Sequence, residues 1–78
     1  MADNKLNERI GFEMRSQRLL KRMTLEQVAN AMGIASRNTI SYWELGKTDI
    51  TVEDLVRYCE VVGCNYIDIL EEAIKRKG

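Results

Sequence analysis

Four side chains within six positions of a 78-residue chain, Arg37, Asn38, Ser41 and Tyr42, carry the most legible chemistry in the sequence. On a helix that spacing gathers them on one side, because residues three and four apart are neighbours on the helix surface. An Arg fork grips guanine O6/N7 and an Asn amide grips adenine N6/N7, each through two hydrogen bonds. A hydroxyl serves either purine, and an aromatic ring can meet a thymine methyl. A helix face with no task is more usually filled with Glu and Lys. An Arg, an Asn, a hydroxyl and a phenol together point to the reading of base edges, with an ordinary polar surface as the competing explanation.

Other chemistry is poorly served. The chain has no His and no glycine-rich phosphate loop, and neither Cys59 nor Cys64 lies in a motif that activates a thiolate, so no enzymatic activity is expected. Two cysteines without His would need carboxylates to complete a four-ligand zinc site. No metal, no cofactor and no small-molecule ligand is expected. Cys59, on an apolar helix face, reads as a small buried apolar residue kept reduced.

The elements that hold the reading side follow from capping and periodicity. Residues 5–22 form a first helix, with Leu6, Ile10 and Met14 on one stripe and Gly11 marking either a weak point or a close contact. Met23 is placed as a core plug. Thr24 and Gln27 make a capping box that opens a second helix, whose apolar side is Leu25, Val28, Ala29 and Met32. Gly33 ends it, and Ile34 folds back against it. Ser36 opens a third helix running to about Leu45, with Ile40 and Trp43 inward and the four reading residues outward. Thr51 with Asp54 opens a fourth, striped by Val52, Leu55, Tyr58, Cys59 and Val62 and ended by Gly63. Asn65 with Asp68 opens a fifth, striped by Tyr66, Ile69, Leu70 and Ala73 or Ile74, with Lys75, Arg76 and Lys77 suiting the negative end of its dipole. A short helix, a turn containing Gly and a second helix over 24–43 make a helix-turn-helix, whose second helix enters the major groove in the DNA-reading version.

Length allows one domain, taken as residues 1–78, and a composition of 45% hydrophobic and 31% charged residues without Pro favours an all-α globule. No apolar run is long enough to span a bilayer and the first residues carry no secretion signal, so a cytoplasmic protein with no membrane partner is expected. Twelve basic residues balance twelve acidic ones, but unevenly along the chain. Residues 1–48 hold eight Lys/Arg against five acids, a net of +3, and residues 49–78 hold four against seven, a net of −3. A polarised molecule of this kind presents one end to phosphates and turns the other away.

From Gly11 to Leu70 the chain resembles the Cro/cI-type (XRE-like) helix-turn-helix DNA-binding family. The resemblance lies in Gly11, Met14, Arg15 and Arg18, in T-L-E-Q-V-A ending at Gly33, in T-I-S-Y-W-E-L-G-K over 39–47, and in T-V-E-D-L through V-G-C-N-Y-I-D-I-L. It implies a five-helix, lambda-repressor-like fold in which Arg18 pairs with Glu44, closing the recognition helix onto the first helix. An Arg fork on a carboxylate would fix the angle between the two. The chain departs from the family twice. Ile34, Ala35 and Ser36 contain one residue more than usual, which leaves the reading register open by one position around Arg37 and Asn38, while Tyr42 is anchored downstream. Leu25 stands where a phosphate-binding Gln is common, so phosphate contacts fall to Arg15, Thr24, Ser36, Thr39 and Lys47 and to helix amides.

The function implied is sequence-specific binding of double-stranded DNA by a homodimer. It would act as a transcriptional repressor or regulator of phage or mobile-element type, on half-sites about one helical turn apart. Tyr66, Ile69 and Leu70 are the candidate dimer seam. A restriction-modification controller protein is the nearest competitor, and an antitoxin-like interaction module that keeps the fold without reading DNA is the competitor from another class.

Overall fold

The structure, a computed structural model, describes residues 5–75. Five helices follow one another through short connections: α1 (Lys5–Leu20), α2 (Leu25–Met32), α3 (Arg37–Leu45), α4 (Val52–Val62) and α5 (Tyr66–Lys75). No strand occurs among the described residues. Arg76 and Lys77, expected to favour the end of α5, lie outside them.

Side-chain oxygens start four of the helices by taking up amides that no helical carbonyl can reach. Thr24 Oγ1 accepts from the Gln27 amide at 3.0 Å while Gln27 Oε1 accepts from the Thr24 amide at 2.9 Å, a complete capping box. Ser36 Oγ accepts from the Asn38 amide at 3.1 Å, Thr51 Oγ1 from the Asp54 amide at 3.1 Å and Asn65 Oδ1 from the Ile67 amide at 2.8 Å.

One C-terminal turn is used four times. The backbone swings into the left-handed region and the next amide reaches back five residues: Met23 to the Arg18 carbonyl, Ile34 to Ala29, Lys47 to Tyr42 and Cys64 to Cys59, at 2.8–3.0 Å. This Schellman arrangement sets the first and sixth side chains beside each other. The turning residue is Gly33, Gly46 or Gly63 in three cases, but Arg22, at φ 58°, after α1. The first helix therefore stops at Leu20 rather than at residue 22, because Lys21 and Arg22 are spent on the turn.

The core is formed by Ile10 and Met14 of α1, Val28, Ala29 and Met32 of α2, Ile40 and Trp43 of α3, Leu55, Tyr58, Cys59 and Val62 of α4, and Ile69 and Ala73 of α5. Met23, Leu25 and Ile34 pack against it half-buried. Leu6 and Val52, expected on inward stripes, stand at the starts of their helices and are exposed, and α5 turns Ala73 inward and leaves Ile74 outside. Gly11 marks the close contact of the two readings open to it. A Cβ there would run into the backbone carbonyls of Trp43 and Glu44, so α3 lies on the bare backbone of α1.

Helix C-termini are tied to other helices by cations, which suit the partial negative charge there. Arg9 Nε donates to the Ala73 carbonyl at 2.7 Å, Arg57 to the Met32 carbonyl at 2.7 Å, and Lys21 Nζ to the carbonyls of Val62 and Gly63 at 3.3 and 2.8 Å.

Two substitutions test this framework by thermal or urea unfolding. Gly11→Ala should cost about 1–3 kcal/mol, because it meets backbone that cannot rotate away. Arg22→Gly should instead stabilise by about 0.5–1 kcal/mol, since the left-handed region penalises any side chain with a Cβ.

Candidate nucleic-acid interface

The outer face of α3 rests on a buried polar node. Arg18, near the end of α1, donates through Nε to Glu44 Oε2 at 2.8 Å and through a terminal nitrogen to Glu44 Oε1 at 2.9 Å. Its other terminal nitrogen donates to the Met23 carbonyl at 2.9 Å, holding the turn into α2. From α4, the fully buried Tyr58 hydroxyl lies 2.7 Å from Glu44 Oε2 and 2.9 Å from the Met14 carbonyl, one proton shared between two acceptors. The Glu44 hydrogen bonds raise the Arg18 pKa above its ordinary value, and burial, reinforced by Glu44, raises that of the Tyr58 phenol. Both groups keep their protons at neutral pH. A charge pair this deeply buried is sustainable only because every hydrogen-bonding site is answered, and no buried side-chain polar atom among the described residues lacks a partner.

With Glu44, Trp43 and Ile40 directed inward, α3 turns its other side out. Arg37, Asn38 and Tyr42 are exposed and Ser41 is half-buried. The connection between Met32 and Arg37 runs over residues 33–36, and Arg37 and Asn38 are the first two residues of α3, immediately after its Ser36 cap. Ser36, Arg37 and Asn38 share a recess with Glu26, Ala29 and Asn30 of α2. Ser41 and Arg15 share a second one with Leu25, Arg18, Glu44 and Leu45. The Gly46 turn brings Lys47 over the Tyr42 ring, 5.9 Å from its centroid, because these are the paired first and sixth residues of the Schellman turn. Gly46 also needs its missing side chain: a Cβ would lie 2.7 Å from Glu8 Cα of α1.

The expected phosphate donors are placed less evenly. Arg15 and Lys47 are exposed, Thr39 is half-buried on α3, and Thr24 and Ser36 are exposed caps whose oxygens already accept from helix amides. A hydroxyl in that state can still donate its own proton to a phosphate oxygen. Arg37 is the other exposed cation of the motif.

On α5 the expected seam divides. Tyr66 and Leu70 are half-buried, but Ile69 is 3% exposed and belongs to the protomer core, so it offers no surface to a partner. The apolar side chains that α5 does expose are Ile67 and Ile74. Tyr58 carries no mark in the sequence as part of the site, because its spacing is that of a core residue. The available signal is chemical: a phenol on an inward stripe needs a polar partner.

Residues 14–69 match the helix-turn-helix family model. Among solved structures, the chain is similar to the clp gene regulator ClgR from Corynebacterium glutamicum. It is 33% identical to it with a TM-score of 0.84, covering 90% of each chain. A second structure of ClgR matches at 33% identity and a TM-score of 0.83 over 90% of this chain and 73% of that one. No curated protein sequence matches the chain.

The node makes two unequal predictions for urea unfolding. Arg18→Ala should cost about 3–5 kcal/mol, because it strands the Glu44 carboxylate in the core. Tyr58→Phe should cost only about 1–2 kcal/mol, since Glu44 keeps its Arg fork.

Proposed function

The chain belongs to the helix-turn-helix family, and on that footing we propose that it binds duplex DNA sequence-specifically as a homodimer and regulates transcription. The observation that carries the reading is the outward side of α3. Arg37, Asn38 and Tyr42 stand exposed on a helix whose inner side is locked to α1 and α4 through Glu44. Arg37 and Asn38, at the N-terminal end of α3, suit bidentate contacts to guanine and adenine. Tyr42, one turn on from Asn38, suits a thymine methyl, and Ser41 a flanking contact. Arg15, Thr24, Ser36, Thr39 and Lys47 would hold the phosphates and set the register.

The structural similarity to ClgR, a clp gene regulator, supports a regulatory role. A repressor of phage or mobile-element type is the form we assign, on the sequence resemblance. No helix among the described residues is long and apolar enough to cross a membrane, in keeping with a cytoplasmic protein working on DNA. The dimer seam is assigned to the outer side of α5, through Tyr66 and Leu70 together with Ile67 and Ile74.

Selection of bound duplexes from a random pool is the direct test. It should return a pseudo-palindrome with half-sites about one helical turn apart. Failure to enrich any sequence would favour an interaction module, and tandem sites beside the protein's own gene would favour a restriction-modification controller. On the selected site, Arg37→Ala and Asn38→Ala should each cost about 1–3 kcal/mol and relax preference at one position. Lys47→Ala should weaken all sequences alike and flatten the salt slope by about one unit, measured by mobility shift over a salt series.

A further inference from the structure

We propose that Cys59 and Cys64 form a paired oxidation site that closes to an intrachain disulfide when a peroxide reaches Cys64. The two residues hold the facing positions of the turn that ends α4. The Cys64 amide donates to the Cys59 carbonyl at 2.9 Å, and Gly63 between them takes the left-handed conformation at φ 87°. The turn sets the side chains at these positions beside each other, and the two thiols are near enough to influence each other electrostatically. A disulfide needs its Cβ atoms roughly 3.5–4.5 Å apart, a separation the backbone sets; the 2.9 Å bond between the Cys64 amide and the Cys59 carbonyl holds the two backbones together, and rotation about χ1 then turns the sulfurs towards each other. The turn is held while they do so, because Lys21 Nζ, from the turn after α1, donates to the carbonyls of Val62 and Gly63.

Accessibility divides the roles. Cys64 is half-buried and lines an open recess between α1 and α5 with Gln17, Asn65 and Asp68. Cys59 lies behind it at 2% exposure. Burial, and then the contact with Cys64, push the Cys59 thiol up, so it keeps its proton while Cys64 meets the oxidant. The Cys64 thiolate attacks the peroxide, an S–O bond forms as the O–O bond breaks, and the hydroxide released takes up a proton to leave as water. Cys64 is thereby oxidised to a sulfenic acid and the peroxide reduced. The Cys59 sulfur then attacks the Cys64 sulfur, giving up its proton. The S–S bond forms, the S–OH bond breaks, and a second water leaves. Two thiols and one peroxide become one disulfide and two waters. Closure also keeps Cys64 from climbing to the irreversible sulfinic acid.

Both cysteines fall in one tryptic peptide, Tyr58–Lys75, which contains no internal Lys or Arg. The full chain is treated with hydrogen peroxide under native conditions, alkylated, digested and weighed, with and without dithiothreitol before alkylation. The expected product is the peptide two hydrogens lighter, closed to alkylation and fully restored by the reductant. Cys59→Ala should leave Cys64 as a sulfenic acid that dimedone captures. In Cys64→Ala, Cys59 should remain fully alkylatable on unfolding. A wild-type peptide that stays doubly alkylatable, a Cys64 sulfinic acid beside an intact Cys59 thiol, or disulfide-linked dimers in place of the lighter peptide would each overturn the proposal.

Discussion

A carboxylate in the centre of a small helical protein must be answered on every side or the fold fails, and Glu44 is that carboxylate. Its two oxygens take the Arg18 fork from α1 and the Tyr58 hydroxyl from α4, while Arg18 also holds the Met23 carbonyl that leads into α2. Four of the five helices, or the turns that end them, are thereby referred to one point. Such a group is not chosen for stability, since apolar packing of equal volume often does as well. It is directional: the fork accepts the carboxylate in one plane, and that plane sets how α3 lies on α1. Gly11 allows the approach by presenting bare backbone to the carbonyls of Trp43 and Glu44. The inner side of α3 is consumed by this arrangement, and the outer side is left to Arg37, Asn38 and Tyr42.

The charges of the chain make sense once their positions are known. Arg9, Arg18 and Lys21, three of the eight basic residues in the first 48, are engaged internally, two of them as donors at the C-termini of α5 and α4. The cations left to solvent in the same stretch include Arg15, Arg37 and Lys47, which belong to the surface assigned to DNA. The acidic residues of α4 and α5 balance the formal count without lying on that surface. A net charge of zero is therefore compatible with a local basic field, because phosphates respond to the nearest charges within a Debye length.

The same C-terminal turn produces quite different results according to its two facing side chains. Ala29 and Ile34 give it an apolar seal, Tyr42 and Lys47 a cation over a ring, and Cys59 and Cys64 a thiol pair. Where glycine is absent, at Arg22, the turn still forms, because Arg18 secures the Met23 carbonyl at its far side. That side-chain hold within the turn accompanies the end of α1 two residues short of the expected boundary.

What the sequence by itself determined is the local grammar: the caps at Thr24, Ser36, Thr51 and Asn65, the glycine stops at Gly33, Gly46 and Gly63, and the inward stripes of α2 and α3. Each depends on interactions between residues at most five apart, so spacing suffices to reveal it. The polar outer side of α3 was legible for the same reason, being the complement of its apolar side. Only the tertiary structure decided that Leu6 and Val52 face water, that Ile69 is core and leaves no surface for a partner, and that Tyr58 completes the Glu44 node. Those outcomes depend on which neighbour covers a helix end and on hydrogen bonds spanning 14 to 44 residues. No periodicity records such pairings, because they are set by the angles at which helices cross.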